Sequence, residues 1–373
     1  MERSDDAPSS AAPPSPARRT PSTAPVATAG VLAADALRKQ RERLLDNEPG
    51  TRLGQDPEAL HDMRVATRRL RAALAVFADV VPKRGERLRR ELGWLGRALG
   101  EVRDLDVQLE RLTAEAGQDP ALVPAALAVS TVLTKRRERA RVRMLRALDS
   151  RRFVRLLESL ATFVEAGPLT RGVARQPAPL SAPDVLARTY KKMRRAGERL
   201  SRESTPEEFH RMRIRAKRLR YALEFHESLY GRPAEALVAQ LVTIQDQLGL
   251  HQDCQVMLGL IDEIRKDGGK RLPPGALFAM GTLAERVSRH AATLRRQFPR
   301  LFRTVRGKAW KRLKHAFDAR LAAAVRPRRP RPRVQKSAPA PAAQAEQTGD
   351  ASWTPNDRPK RHSTLEPPTS TAS

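Results

Sequence analysis

One cysteine, Cys254, stands in 373 residues. No intrachain disulfide can form, and a reducing compartment fits. Aromatic residues make up 4% of the chain, too few for the rows of stacking platforms that single-strand nucleic-acid binders use. No uninterrupted apolar run approaches the ~18 residues of a membrane span. The longest, ALVPAALAVSTVL at 121–133, is short and contains Pro124. The N-terminus has acidic residues and a Pro/Ser/Ala-rich run, without the basic and apolar regions of a secretory leader. A cytoplasmic protein without membrane contact is expected. No H-E-x-x-H, Walker A, G-x-S-x-G or paired His/Cys ligand spacing occurs. Phosphate-chain cleavage usually needs a metal on clustered carboxylates or an activated nucleophile. The expectation is a protein that binds without catalysing, with no metal site and no cofactor.

Acidic residues are scarce too: 42 against 71 Lys and Arg, for a formal net charge of +29. The excess is not a property of the ends. Residues 1–28 are neutral, with three basic and three acidic side chains, and residues 326–373 carry nine basic against four acidic. The remaining +24 lies in residues 29–325. Confining that charge in a folded body is unfavourable, and a polyanionic partner relieves it. Both ends are rich in Pro, Ser, Ala and Thr and are expected to be disordered, the C-terminal one opening on the basic, Pro-spaced RPRRPRPR.

What the chain does contain is helical pattern and sufficient apolar material, 40% of residues, for a sizeable core. Between Pro/Gly punctuation, apolar residues recur at three and four, and no segment alternates at period two. The segment HDMRVATRRLRAALAVF at 61–77 has a counterpart in HRMRIRAKRLRYALEFH at 210–226. An offset of 149 residues aligns the two halves without a gap. Asp56-Pro57-Glu58 then falls on Thr205-Pro206-Glu207, each an N-cap residue followed by proline at the first helical position. Thr205 with Glu208 makes a capping box. Further on, LGEVRDLDV at 99–107 falls on LGLHQDCQV at 248–256. The expected architecture is all-α, with two pseudo-symmetric helical-bundle halves around a basic central groove or channel. The first repeat spans about 29–168, a linker about 169–180, and the second repeat about 181–320.

Each motif helix carries two stripes. Met63, Ala66, Leu70, Ala73 and Phe77 form a buried one, approximated in the second copy by Met212, Leu219, Leu223 and His226. About 100° away lie His61, Arg64, Arg68 and Arg71, and in the second copy His210, Arg213, Lys217 and Arg220. Like charges at these spacings repel, and neither motif supplies acidic residues to pair them all. Guanidinium forks hold two phosphate oxygens at once, so an anion along the stripe accounts for it. Basic residues present in both copies extend the candidate set: Arg69 with Arg218, Lys39 with Arg188, Arg43 with Lys192, Arg137 with Arg286, and Arg146 with Arg295. Two bundles about a pseudo-two-fold would bring both sets toward one axis. A protonated imidazole at His61 or His210 can also donate to phosphate. The same surface would serve DNA phosphates, which is the alternative reading. The aromatic neighbours for base stacking are Tyr190 and Tyr221, matched by Arg41 and Ala72.

At these residues the sequence resembles the CHAD family, the conserved histidine α-helical domain. HDMRVATRRLR and HRMRIRAKRLR are each followed about thirty residues on by LG and then RDLDV or HQDCQV, and the resemblance covers roughly residues 30–320. It implies an all-helical fold of two bundle halves around a basic cavity. It further implies binding of inorganic polyphosphate and association with polyphosphate granules and their proteins. The contacts it implies are His61, Arg64, Arg68, Arg69, Arg71, His210, Arg213, Lys217, Arg218 and Arg220. In the downstream element the second copy departs at Gln252 and Gln255, where the first has Arg103 and Asp106. Asp104 and Asp253 are expected to cap helix N-termini.

Overall fold

A computed structural model describes residues 27–166, 169, 172–268 and 272–325, which fall in one compact unit. The two terminal stretches expected to be disordered lie outside the described residues, apart from Ala27 and Thr28. The first half comprises α1 (Ala29–Leu53), α2 (Pro57–Val76), α3 (Arg84–Gln118), α4 (Val123–Leu148) and α5 (Arg151–Glu165). The second comprises α6 (Ala178–Glu198), α7 (Pro206–Phe225), the short α8 (Glu227–Tyr230), α9 (Arg232–Gly268), α10 (Pro274–Arg306) and α11 (Lys308–Val325). No strand is present among the described residues, where the sole sheet-like feature is an isolated antiparallel bridge between Thr28 and Pro177.

The 149-residue offset is written into the helix limits. α1 and α6 begin at mates 29 and 178, and α2 and α7 coincide at both ends. Local chemistry sets these starts. Asp56 accepts from the Glu58 amide at 2.8 Å. The Thr205 hydroxyl accepts from the Glu208 amide, whose carboxylate accepts in turn from the Thr205 amide, a reciprocal cap. α6 already starts at Ala178, inside the stretch read as linker, because Pro179 sits in its first turn where no N–H is required. The halves also diverge. Ser150 caps α5, whereas its mate Pro299 lies inside the unbroken α10. Phe298 and Phe302, both buried and stacked at 5.5 Å, hold the helix packed on either side of that proline.

Two contacts between mates mark a pseudo-two-fold axis. The Ala29 amide donates to the Gln176 carbonyl at 3.0 Å, and the Ala178 amide donates to the Ala27 carbonyl at 2.9 Å. Exchanging each residue for its repeat mate (29 for 178, 176 for 27) turns one bond into the other. Phe77 meets its own mate, His226, with ring centroids 5.2 Å apart. The motif helices α2 and α7 pack on one another between these points.

Three apolar clusters hold the unit together. One belongs to the first half and contains Met63, Ala66, Leu70, Ala73 and Phe77. One belongs to the second and contains Met212, Leu219 and Leu223. The expected buried stripe is thus buried, and His226 joins it at 3% exposure, its Nδ1–H donating to the Ala222 carbonyl at 2.7 Å. The third cluster is shared: distal parts of α3 and α4 (Leu112, Val129, Leu133) pack with α9 and α10 (Met257, Ile261, Leu283, Val287). This joint arm fixes the halves relative to each other, and so fixes the seam between α2 and α7.

Candidate functional site

With the apolar stripes of α2 and α7 turned into their own cores, the flanking basic stripes meet along the seam. Two pairs of repeat mates come within electrostatic reach of each other across it. The charge of Arg64 acts on Arg213, and that of Arg68 acts on Lys217. The charge of Asp104 acts on its mate Asp253. Burial first, then the charges of neighbouring arginines, holds Arg68 and Arg213 below the usual arginine range. Both remain cations, since guanidinium does not deprotonate in proteins. The Nε atoms of Arg68, Arg213 and Arg220 are buried without a hydrogen-bond partner among the described residues. Lys217 is pushed down to about 6 by burial and then by Arg213, Arg68, Arg64 and Arg220.

Two glycines lie directly beneath these guanidiniums. A Cβ on Gly100 of α3 would lie 3.4 Å from Nε of Arg64, and one on Gly249 of α9 3.6 Å from a terminal nitrogen of Arg213. They are repeat mates, and they are the glycines of the LG pairs. The guanidiniums lie against helix backbone at a distance where an alanine Cβ would just touch them and a longer side chain would displace them.

The role expected for the downstream aspartates is corrected. Asp104 lies within α3 and Asp253 within α9, far from either N-terminus, and neither caps a helix. Both motif and downstream element are interior to long helices, and the aspartate faces the motif arginine instead. Arg64 donates to Asp104 at 2.8 Å, while burial raises Asp253 against the pull of Arg213. Partial counter-charge also comes from Glu224, which pairs with Arg69 across the seam at 2.8 Å and with Arg220 one turn back at 3.3 Å. Arg68, Arg69 and Arg220 lie over one face or another of buried Tyr221 at 5.9, 5.6 and 5.2 Å, contacts that favour cations.

The other candidates divide. The exposed Arg71, Arg97 and Arg218 form a second group with half-buried Arg89, itself paired with Glu86 at 2.7 Å; burial, then Arg89, Arg97 and Arg218, lowers Arg71. His61 is half-buried, and the exposed His210 donates from Nδ1 to Gln252 at 2.9 Å. Lys39, Arg43, Arg146 and Lys192 are exposed. Arg137 is tied to Asp106, Arg286 to Asp119 at 2.5 Å, and Arg188 to Asp79 at 3.1 Å. Arg295 donates to buried His251 at 3.0 Å and lies over Phe209. These four are engaged in holding helices together. Filtering by repetition passed over Arg89, Arg97 and Glu224, whose mates are Val238, Asp246 and Ala75. A separate cavity of about 680 Å³ between α3 and α5 is walled by Arg84, Arg87, Arg152 and Arg155, none of which has a basic mate. Among the described residues no three His, Cys, Asp or Glu side chains gather as metal ligands, and no helix is long and apolar enough to cross a membrane.

A family model, the CHAD domain, matches residues 35–262, more than half of the chain. The chain belongs to the CHAD domain family. Polyphosphate binding is a known property of that family. The chain is 26% identical to the CHAD domain from the plant Ricinus communis, with TM-score 0.56 over 79% of this chain and 92% of that one. It shares its fold with PptA from Streptomyces chartreusis at 21% identity and TM-score 0.60, covering 74% of this chain and 99% of that one. Uncharacterized proteins of two Mycobacterium tuberculosis strains, CDC 1551 and H37Rv, are each 31% identical over 211 residues. This CHAD protein spans 39% of their length, and the match takes in 53% of its own.

Proposed function

We propose that the α2/α7 seam binds inorganic polyphosphate, holding the chain without cleaving it. The observation that carries this reading is the facing of repeat mates: Arg64 with Arg213 and Arg68 with Lys217, brought together half-buried with carboxylates too few to neutralise them. Such a cluster destabilises the free protein and is stabilised by linked phosphates. Family membership supports the choice of polyphosphate. The tyrosines support it against nucleic acid. Tyr190 is stacked on Trp310 at 3.8 Å and buried, and Tyr221 is buried under three arginines, so neither offers a free face to a base. Association with polyphosphate granules in the cytoplasm, alongside their proteins, follows from the same affinity.

The test is a competition titration. Long-chain polyphosphate should bind tightly, orthophosphate weakly, and duplex DNA should fail to displace the long chain at moderate salt. The double variant Arg68→Gln with Arg213→Gln should lose most of the affinity while a gel shows chain length unchanged by the wild type. Equal affinity for orthophosphate and long chains, or preferential binding of DNA, refutes the reading.

A further inference from the structure

The motif helices are mates, yet within their basic stripes they differ in kind at one position. Where α2 carries Arg68, α7 carries Lys217. A guanidinium keeps its proton in any folded protein, whereas an amine taken from water and surrounded by cations gives it up. Lys217 is half-buried on the basic face of α7, one turn after Arg213 and one turn before Arg220 and Tyr221; the guanidiniums of Arg68, from α2, and of Arg220 lie 5.9 and 5.2 Å from the Tyr221 ring, and the charges of Arg64 on α2 and Asp253 on α9 also reach the amine. Asp104 of α3 is engaged by Arg64 at 2.8 Å. Four guanidiniums therefore oppose one carboxylate around this amine, and no ion pair to Lys217 forms among the described residues.

We propose that Lys217 couples polyanion binding to proton uptake: its amine is neutral in the free protein and becomes an ammonium when a phosphate chain lies along the seam. The proposal rests on the reading of the seam given above and adds its regulation. In the free protein, burial and the four guanidiniums bring the group down to about 6. A seated chain reverses the second cause, because its oxygens offset the guanidiniums and accept hydrogen bonds from the ammonium. The proton comes from solvent, and no bond of the chain is made or broken. Proton and chain are then reciprocal effectors: each raises affinity for the other by the same factor. Affinity should fall by up to about tenfold per pH unit above the free-state value, the slope for one linked proton. An all-arginine site, as at Arg68, would lack this dependence.

Isothermal titration with long-chain polyphosphate at about pH 7.5, in buffers of low and high ionisation enthalpy, reads the protons taken up per site. Other imidazoles of the chain can also exchange protons, so the quantity that decides is the difference between wild type and Lys217→Arg, which leaves every histidine in place and keeps a permanent charge. The wild type should take up about one proton more than Lys217→Arg, the difference expected for one titrating amine. Lys217→Arg should bind at least as tightly at that pH with a flatter pH profile. Lys217→Gln, never charged, should also lose the extra proton and should bind more weakly than wild type at acidic pH. Equal proton uptake by wild type and both variants, with binding intact, overturns the proposal and leaves the seam reading standing. Failure of the wild type to bind polyphosphate overturns both.

Discussion

Arg68→Gln separates binding from folding at the seam, and the structure sets the size of each effect. Arg68 is largely withdrawn from water, faces Arg64, Arg220 and Lys217, and has no carboxylate at ion-pair distance among the described residues. Glutamine keeps the helix, since both residues are good helix formers, and removes a repelled charge. Thermal stability should therefore hold or rise. Binding should suffer doubly. Five cations (Arg64, Arg68, Arg213, Arg220 and the protonated Lys217) line the seam. At about 0.7 counterions released per phosphate, as for single strands, the salt slope is roughly −3.5, or about a 100-fold loss of affinity between about 50 and 200 mM salt. Arg68→Gln should reduce that slope by about 0.7. It should also weaken affinity roughly tenfold or more, a charged hydrogen bond being worth about 1.5–3 kcal/mol. The control is two positions away. Leu70 is fully buried in the first-half core, so Leu70→Ala should cost about 2–5 kcal/mol of stability through the cavity it leaves, with binding intact while the protein stays folded. Titrations across a salt series, with thermal melts of the free variants, read both quantities. A drop in melting temperature for Arg68→Gln comparable to that for Leu70→Ala would make the arginine structural and refute the reasoning. An unchanged slope and affinity would place the chain elsewhere.

Glu224→Gln should lower stability by about 2 to 3 kcal/mol, below the cost for a fully buried pair, because Arg69 and Arg220 lose their shared counter-ion; polyphosphate affinity should rise, and a fall by titration would contradict the assignment. Gly100→Ala should be tolerated or stabilise by about 0.5–1 kcal/mol through helix propensity. Gly100→Leu should displace the Arg64 guanidinium and weaken binding in a protein that still melts cooperatively. Lys217→Met should stabilise the free protein in a pH-dependent way. The folded amine titrates near about 6 and the unfolded one near about 10.4, so the unfolded state binds more protons between those values and wild-type stability rises with pH there. The gain from Lys217→Met is then largest below about pH 6 and shrinks as pH approaches 10; denaturant midpoints at both ends of that window check the sign.

The helices that carry the motifs were legible because their starts and faces are local properties. Asp56-Pro57 and Thr205-Pro206 fix two N-termini by capping chemistry alone, and the three-and-four spacing of Met63, Ala66, Leu70 and Ala73 fixes which face is buried. The repeat carried the argument one step further, to two halves about an axis. Partners of the charges were less legible. Asp104 looked like a cap because carboxylates favour helix N-termini. Its true neighbour, Arg64, is forty residues away and is reached only once α2 lies on α3. Glu224 breaks the repeat, so a search for what both copies share was bound to miss it, and Tyr221 was visible as an aromatic but not as a ring under three arginines. The shared glycines Gly100 and Gly249 were visible, but their meaning was not. A glycine admits a close approach, and the sequence does not say what approaches.

The symmetry of the seam matches the chemistry of its proposed ligand. A linear phosphate chain reads the same from either end, so a site in which Arg64 faces Arg213 and Arg68 faces Lys217 presents equivalent contacts in both orientations. A nucleic-acid single strand has a direction and bases, and would leave half of such a site mismatched. Duplication of one helix therefore builds a complete site for a chain without polarity, each half supplying what the other lacks by position and not by chemistry. Three departures from symmetry hold the site together or adjust it. Glu224 and Tyr221 restrain the cations of both copies from one side. Lys217 puts, where the first copy has Arg68, a group that can titrate. The symmetric residues are those expected to touch phosphate, and the asymmetric ones set the stability and the pH range over which they do so.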